Sequence, residues 1–191
     1  MDKSLHYTLC HLDKNDFYKG TFGFSIGLYV LSKGPEFTDT FFMLLSGKEV
    51  PFIQWFHHVT TFLYCWHAYS VGSSALNFAA SLNYSVHVIM YLYFTLAEAG
   101  LKSVVKRFSM LITTTQLIQF IYGSFLTFKL IYHKFADRNL PDNCSGTPWD
   151  AANIQLFIVL ANLYMFTKFF YNAYIKKKPA KTASGTKEKK N

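Results

Sequence analysis

Gln54-Trp55-Phe56-His57-His58 opens the apolar run Phe52–Tyr69. Two adjacent histidines therefore sit in a stretch long enough to cross most of a membrane. Water does not easily reach an imidazole there, so it needs a partner, a ligand or a chemical role. The rest of the chain resembles this run. Its 191 residues are 51% apolar and 19% aromatic, with twenty Phe, thirteen Tyr and a formal charge of +8. The apolar residues come in long blocks and not in short alternations, which predicts an all-α polytopic membrane protein. The first twenty residues are polar and hold no signal-peptide core. Three cysteines without a CxxC spacing exclude a disulfide framework and a zinc-ribbon type site.

Five spans are expected: Phe22–Leu45, Phe52–Tyr69, Ala75–Ala97, Phe108–Tyr132 and Ala152–Ile175. Ser32-Lys33-Gly34-Pro35-Glu36 interrupts the first, and Pro35 is expected to kink it. Residues 1–21 form a polar N-terminal segment, 22–175 the membrane domain, and 176–191 a basic tail that reads as disordered. The side holding the C-terminus receives Lys48, Lys102, Lys106, Arg107 and the seven lysines after Ile175. The other side receives only Lys3, Lys14, Lys19, Lys134 and Arg138. The positive-inside rule then makes the C-terminus cytosolic and the N-terminal segment lumenal. Lys187 and Lys189 fit a dilysine-type retrieval signal of the endoplasmic reticulum. This topology places Cys10 and Cys144 together on the lumenal side, where a disulfide between them is expected. Asn143-Cys144-Ser145 also matches a glycosylation sequon, while mid-span Cys65 reads as a packing residue. His67 is expected at the interface, and His6, His11 and His133 in solvent.

The intramembrane polar residues fall at one depth although the helices alternate in direction. They are Lys33, Glu36, Asp39 and Thr40, then Gln54, His57, His58 and Thr61, then Asn83, His87, Tyr91 and Tyr93. Thr113, Gln116 and Gln119 follow, and last Lys168, Tyr171 and Asn172. The opposite halves hold mainly apolar and aromatic residues. Helical spacing lines up Gln54, His57, Thr61 and Tyr64 on one face and Asn83, His87 and Tyr91 on another. Lys33 and Glu36, three apart, can pair and offset part of their burial cost. Any one of these residues alone reads as an interhelical hydrogen bond. Together they predict a polar chamber near the cytosol above an apolar pocket, a shape suited to an amphiphile. From His57 to Tyr69 the pocket has ~18 Å of helix to descend.

These residues carry a resemblance. Lys33-x-x-Glu36-x-x-Asp39-Thr40 matches a KxxExxDT motif, and Asn83-x-x-x-His87-x-x-Met90-Tyr91-x-Tyr93-Phe94 matches NxxxHxxMYxYY with Phe94 in the last position. Thr113-x-x-Gln116-x-x-Gln119 matches TxxQxxQ. In this order and spacing, from about residue 10 to residue 175, the chain resembles the fatty acid elongases of the endoplasmic reticulum, 3-ketoacyl-CoA synthases for long and very long acyl chains. It departs from them twice. Their histidine box is HxxHH, and here Gln54 holds the first place; Gln donates and accepts hydrogen bonds but does not titrate. The resemblance also implies seven spans, six of them around a substrate tunnel, and this chain starts just ahead of the third.

The implied reaction joins malonyl-CoA to an acyl-CoA and yields a 3-ketoacyl-CoA two carbons longer, CO2 and free CoA. No cysteine is expected in the polar chamber, so an imidazole shielded from water is the available nucleophile. His57 is expected to hold the acyl group as an acyl-imidazole, with His58 and His87 stabilising the enolate or oxyanion and moving protons. Gln54, Asn83 and Gln116 are expected to orient imidazoles or hold the thioester carbonyl, and the remaining motif residues Lys33, Glu36, Asp39, Tyr91, Thr113 and Gln119 to line the substrate site. Lys33 and Lys168, with Lys102, Lys106 and Arg107 at the mouth, suit the CoA phosphates. No metal and no cofactor beyond the two CoA substrates are expected, and no nucleic-acid partner. Membrane lipid, other elongation-cycle enzymes and a second copy of the chain are the expected partners. Asn83-Tyr84-x-Val86-His87 resembles the branch acting on saturated and monounsaturated chains.

Two rivals remain at this stage. Membrane di-iron desaturases also use HxxHH, but they need about eight ligating histidines, whereas only His57, His58 and His87 occupy the chamber and no HxxxH exists. The alternative is an impaired or truncated elongase homologue that binds acyl-CoA or a full-length partner.

Overall fold

The computed structural model describes residues 3–139 and 144–176, and every regular element among them is helical. Two short helices come first, α1 (Lys3–Cys10) and α2 (Lys14–Tyr18). They are followed by α3 (Gly20–Ser32), α4 (Phe37–Leu45), α5 (Phe52–Ser70) and α6 (Ala75–Leu96). A π-turn over Ala97–Leu101 leads through the single-turn α7 (Lys102–Val105) and a 3-10 turn into α8 (Ser109–Ala136). The last helix is α9 (Trp149–Phe170), continued by a π-turn over Tyr171–Ile175.

The expected first span is not one helix. Pro35 brings no N–H, and the chain tightens around it, with Gly34 N–H bonded to the Leu31 carbonyl and Phe37 N–H to that of Gly34. The overwound turn separates α3 from α4 and carries Lys33 and Glu36 inward. The chain reverses between α6 and α8 at Gly100, whose φ of +91° suits a residue without a Cβ. By length and composition two helical stretches can cross a membrane, Ala75–Ala136 and Trp149–Ile175. The first contains both α6 and α8, on either side of the Gly100 reversal. α5 falls short of that apolarity because it carries Gln54, His57, His58, Thr60 and Thr61.

The long helices form a ring. α5 packs against α9, α9 against α8, and α8 against α6, while α3 touches both α5 and α6. The outward faces are apolar, for example Val88, Leu92, Phe128 and Phe157, as lipid contact requires and water does not. At one end of the ring, Leu9, Cys10 and Cys144 join Ala75, Leu126, Leu130 and Ala152 in a buried cluster. Cys10 and Cys144 are bonded to each other there. Thr147 Oγ1 accepts the Ala75 N–H at 3.0 Å and lies 2.9 Å from Ser74 Oγ. The ammonium of Lys134 is buried at this end and donates to the carbonyls of Thr147 and Cys144.

The histidines expected in solvent are only partly so. His133 is buried, and its ring meets that of His6 edge-on, with Asp137 Oδ2 2.8 Å from His6 Nε2. The helix α1 packing on α8 buries His133 and leaves His6 about a quarter exposed. His67 pairs with Asp150 at 3.0 Å at the exposed end of α5. The sequon residue Asn143 and the tail with Lys187 and Lys189 lie outside the described residues.

Candidate active site

The ring surrounds a partly open cavity of about 70 Å³ to which all five long helices contribute. Tyr29 comes from α3, His57, Thr61, Tyr64 and Cys65 from α5, and Asn83 from α6. Gln119, Phe120 and Gly123 face it from α8, and Gln155, Ile158 and Asn162 from α9.

Its polar rim is a set of pairs between helices. Lys33 is 2% exposed, an ammonium that burial would expel without partners. It donates to the Glu36 carboxylate and, at 2.6 Å, to Asn83 Oδ1 on α6, with the Tyr29 ring 4.4 Å beneath. Glu36 Oε1 in turn lies 3.5 Å from His87 Nδ1. That contact is too poor for a hydrogen bond, so His87 Nδ1 is buried without a partner among the described residues. The kinked turn and α6 thus place a cation, a carboxylate, an amide and an imidazole within one group.

The histidine pair divides its attention. His58 Nδ1 is 3.3 Å from Thr40 Oγ1 on α4, and its ring meets Phe37 edge-on. His57 points to the other side, with Nδ1 3.1 Å from Asn162 Oδ1 and 3.4 Å from Thr61 Oγ1. Phe120 and Phe166 meet its ring edge-on. Asp39 takes the Tyr91 hydroxyl at 3.4 Å. In the TxxQxxQ stretch Gln119 lines the cavity, Gln116 reaches Met90 Sδ at 3.6 Å, and Thr113 Oγ1 lies 3.3 Å from the Tyr174 hydroxyl. Gln54 makes no side-chain hydrogen bond among the described residues.

Two expectations need correction. Lys168 is exposed, and so are Tyr171 and Asn172; α9 instead turns Asn162 inward, and six residues further on the helix has rotated by about 240°. Second, the far half of the cavity is not purely apolar. Tyr64 donates to Gln155 Oε1, and Gln155 Nε2 donates to Thr127 Oγ1 at 3.0 Å, a chain across α5, α9 and α8. Tyr64 is seven residues below His57, about 10 Å of helix, so this floor is shallower than the depth read to Tyr69. Cys65 packs as expected, below the polar residues and at the edge of the cavity. It is 1% exposed and packs with Tyr29, Tyr64 and Ala68 at the floor, eight residues beyond His57.

Asn162 and Gln155 were not marked by sequence reasoning. Each stands alone in an apolar helix, and a single amide there ordinarily signals only helix pairing. Their signal was a common face: seven residues apart, they sit two turns from one another. Among the described residues, the one group spaced like metal ligands is His6, Cys10 and Asp137, away from this cavity, and the Cys10 sulfur is already in the disulfide.

Comparison with known proteins follows the same residues. The GNS1/SUR4 family model (ELO) matches residues 1–182. The chain is 40% identical over 176 residues to Fatty acid elongase 1 of Trypanosoma cruzi (strain CL Brener), covering 92% of this chain and 59% of that protein. It is 39% identical over 185 residues to Fatty acid elongase 1 of Trypanosoma brucei brucei (strain 927/4 GUTat10.1), covering 96% and 60%. With Fatty acid elongase 2 of Trypanosoma cruzi the identity is 37% over 185 residues, covering 94% and 65%. The chain therefore spans less than two thirds of the length of these relatives. No solved structure matches it. With its motifs in order and the family model running over almost its whole length, the chain belongs to the GNS1/SUR4 (ELO) family.

Proposed function

We propose that the chain carries the condensing site of a fatty acid elongase, an acyltransferase that joins malonyl-CoA to an acyl-CoA and releases CO2 and CoA. The observation that carries this reading is that three motif groups from α5, α6 and α8 each send a residue, His57, Asn83 and Gln119, to one cavity. Behind Asn83, Lys33 bonds to it and to Glu36, and Glu36 lies 3.5 Å from His87.

In this reading His57 attacks the thioester carbonyl, the C–S bond breaks, and the acyl group rests on the imidazole. Malonyl-CoA then loses CO2, and its enolate attacks the acyl carbon and frees His57. His87 has a buried nitrogen without a partner, available to the enolate or oxyanion, and His58 stands beside the pair as a proton carrier. Asn83 Oδ1 is held by Lys33, so its amide N–H groups are left to face the cavity. Lys102, Lys106 and Arg107, all exposed on the loop between α6 and α8, draw the CoA phosphates. Lys168 is outside the cavity and serves at most at its rim. Five membrane passes, with α3 and α4 together making the first, are consistent with the Lys102–Arg107 end on the cytosolic side of the endoplasmic-reticulum membrane and the disulfide end in the lumen. A long acyl tail enters only if the Tyr64–Gln155 floor parts, so a substrate panel must include chains short enough to stop above it.

A second reading has one observation in its favour. Gln54 replaces a titratable residue and bonds to neither histidine, which suits an acyl-CoA-binding homologue with impaired turnover. The test is expression in membranes of an elongase-deficient cell with malonyl-CoA incorporation measured across acyl-CoA lengths. His57→Ala is expected to abolish incorporation and, with acyl-CoA alone, the acyl adduct seen by intact mass. Activity that appears only in Gln54→His would establish the second reading.

A further inference from the structure

Asn162 lies outside every motif of the chain, yet it is the closest polar partner of His57. Its side chain is 0% exposed. The amide orientation follows from its other contact: Nδ2 donates to the Ile158 carbonyl at 2.8 Å, one turn back in α9. Reversing the amide would set two carbonyl oxygens against each other. The end facing His57 Nδ1 at 3.1 Å is therefore Oδ1, which has no proton to give. The hydrogen bond exists only if the proton is on His57 Nδ1. Thr61 Oγ1, 3.4 Å from the same nitrogen, offers a lone pair as a weaker second acceptor. A neutral imidazole carries one proton, so Nε2 keeps its lone pair.

We infer that Asn162 is a positioning residue that holds His57 as the Nδ1–H tautomer and presents Nε2 as the nucleophile to the acyl thioester. The tautomer stands on geometry alone; its catalytic use rests on the reading of His57 given above. The proton balance explains why a neutral amide suits the position. When Nε2 bonds to the carbonyl carbon and the C–S bond breaks, CoA leaves as thiolate and takes a proton from solvent. Nδ1 keeps its proton, and the adduct is an acyl-imidazolium. An amide oxygen accepts that hydrogen bond without removing the proton. The enolate formed by loss of CO2 attacks the acyl carbon, the C–N bond breaks, and the neutral Nδ1–H imidazole returns. His57 thus gives up no proton in the cycle, and the acyl group stays on its better leaving form.

The test is a nitrogen-15 spectrum of the full chain, histidine-labelled, in lipid bilayers, with His57 assigned by its loss in His57→Ala. The native protein is expected to show a protonated Nδ1 and a bare Nε2. Asn162→Leu keeps the volume and removes the acceptor; the tautomer should redistribute, and kcat for condensation should fall about 100-fold with KM for acyl-CoA unchanged. Asn162→Asp restores an acceptor at the same place and should restore the Nδ1–H form. A proton on Nε2 in the native protein overturns the inference without need of any variant, and so does an unchanged tautomer in a folded Asn162→Leu. If the tautomer follows Asn162 while no form makes an acyl adduct, the positioning stands and the proposed nucleophilic role of His57 fails.

Discussion

Lys33 shows what one residue costs in this interior and how the cost is met. An ammonium 2% exposed is held by the Glu36 carboxylate, by Asn83 Oδ1 and by the face of Tyr29. Lys33→Met leaves a buried carboxylate uncompensated, and the expected loss is about 3–5 kcal/mol. Lys33→Met combined with Glu36→Gln removes both charges and should recover most of that loss, since an isolated neutral amide is cheaper to bury than an ion. Thermal unfolding in detergent of the two single variants and the double variant checks this; a double variant no more stable than Lys33→Met would mean that the pair is not the source of the loss. Glu36 and His87 were legible from their motifs because each has companions at helical spacing. Asn162 was not, because its companion His57 is 105 residues away and nothing local marks it.

At the scale of elements, the polar layer was legible because four segments repeated it at one depth; the fifth pointed its polar residues Lys168, Tyr171 and Asn172 outward instead. The floor was not, since Tyr64, Thr127 and Gln155 come singly from three helices and meet only once the ring is closed. The break between α3 and α4 was half legible: Pro35 announced it, but the local chain did not say that the turn would aim Lys33 inward. The floor has a direct consequence for chain length. Tyr64 and Gln155 lie about two turns below His57, and their hydrogen bonds join α5, α9 and α8 across the cavity. Gln155→Ala removes both bonds and opens space beneath, so the longest product should lengthen by about two to four carbons, an increment set by roughly one helical turn of added depth. The same variant should lose about 1–3 kcal/mol, because Tyr64 Oη is left without its acceptor. Gas chromatography of products from the substrate panel reads the first effect. An unchanged product limit in Gln155→Ala would show that the acyl tail ends elsewhere.

For the whole molecule the two ends of the ring differ in chemistry, and that difference favours one orientation. At one end Lys48, Lys102, Lys106 and Arg107 are exposed, beside the histidine half of the cavity. At the other, basic groups are few or withdrawn: Lys134 is buried against carbonyl oxygens, and α1 is tied to the segment before α9 by Cys10–Cys144. A cytosolic membrane face attracts the first end, and a reducing cytosol would not maintain the second. Two independent forces thus favour the same arrangement. In sealed endoplasmic-reticulum vesicles, whose outer face is cytosolic, the Lys102–Arg107 loop is expected to be cut by added trypsin. After mild reduction with a membrane-permeant reagent, Cys10 and Cys144 should react with an impermeant maleimide only once the vesicles are opened. Cys65, 1% exposed within the ring, should stay unreacted in both conditions and serves as the internal control. Labelling of Cys10 in sealed vesicles would invert the orientation, and with it the side from which CoA approaches His57. The disulfide also closes a loop with a sequence separation of 134 residues, for which chain entropy gives about 4–5 kcal/mol. Cys10→Ser should therefore lower the melting temperature of the oxidised protein and leave it insensitive to reductant, whereas the native chain should fall to the same value when reduced.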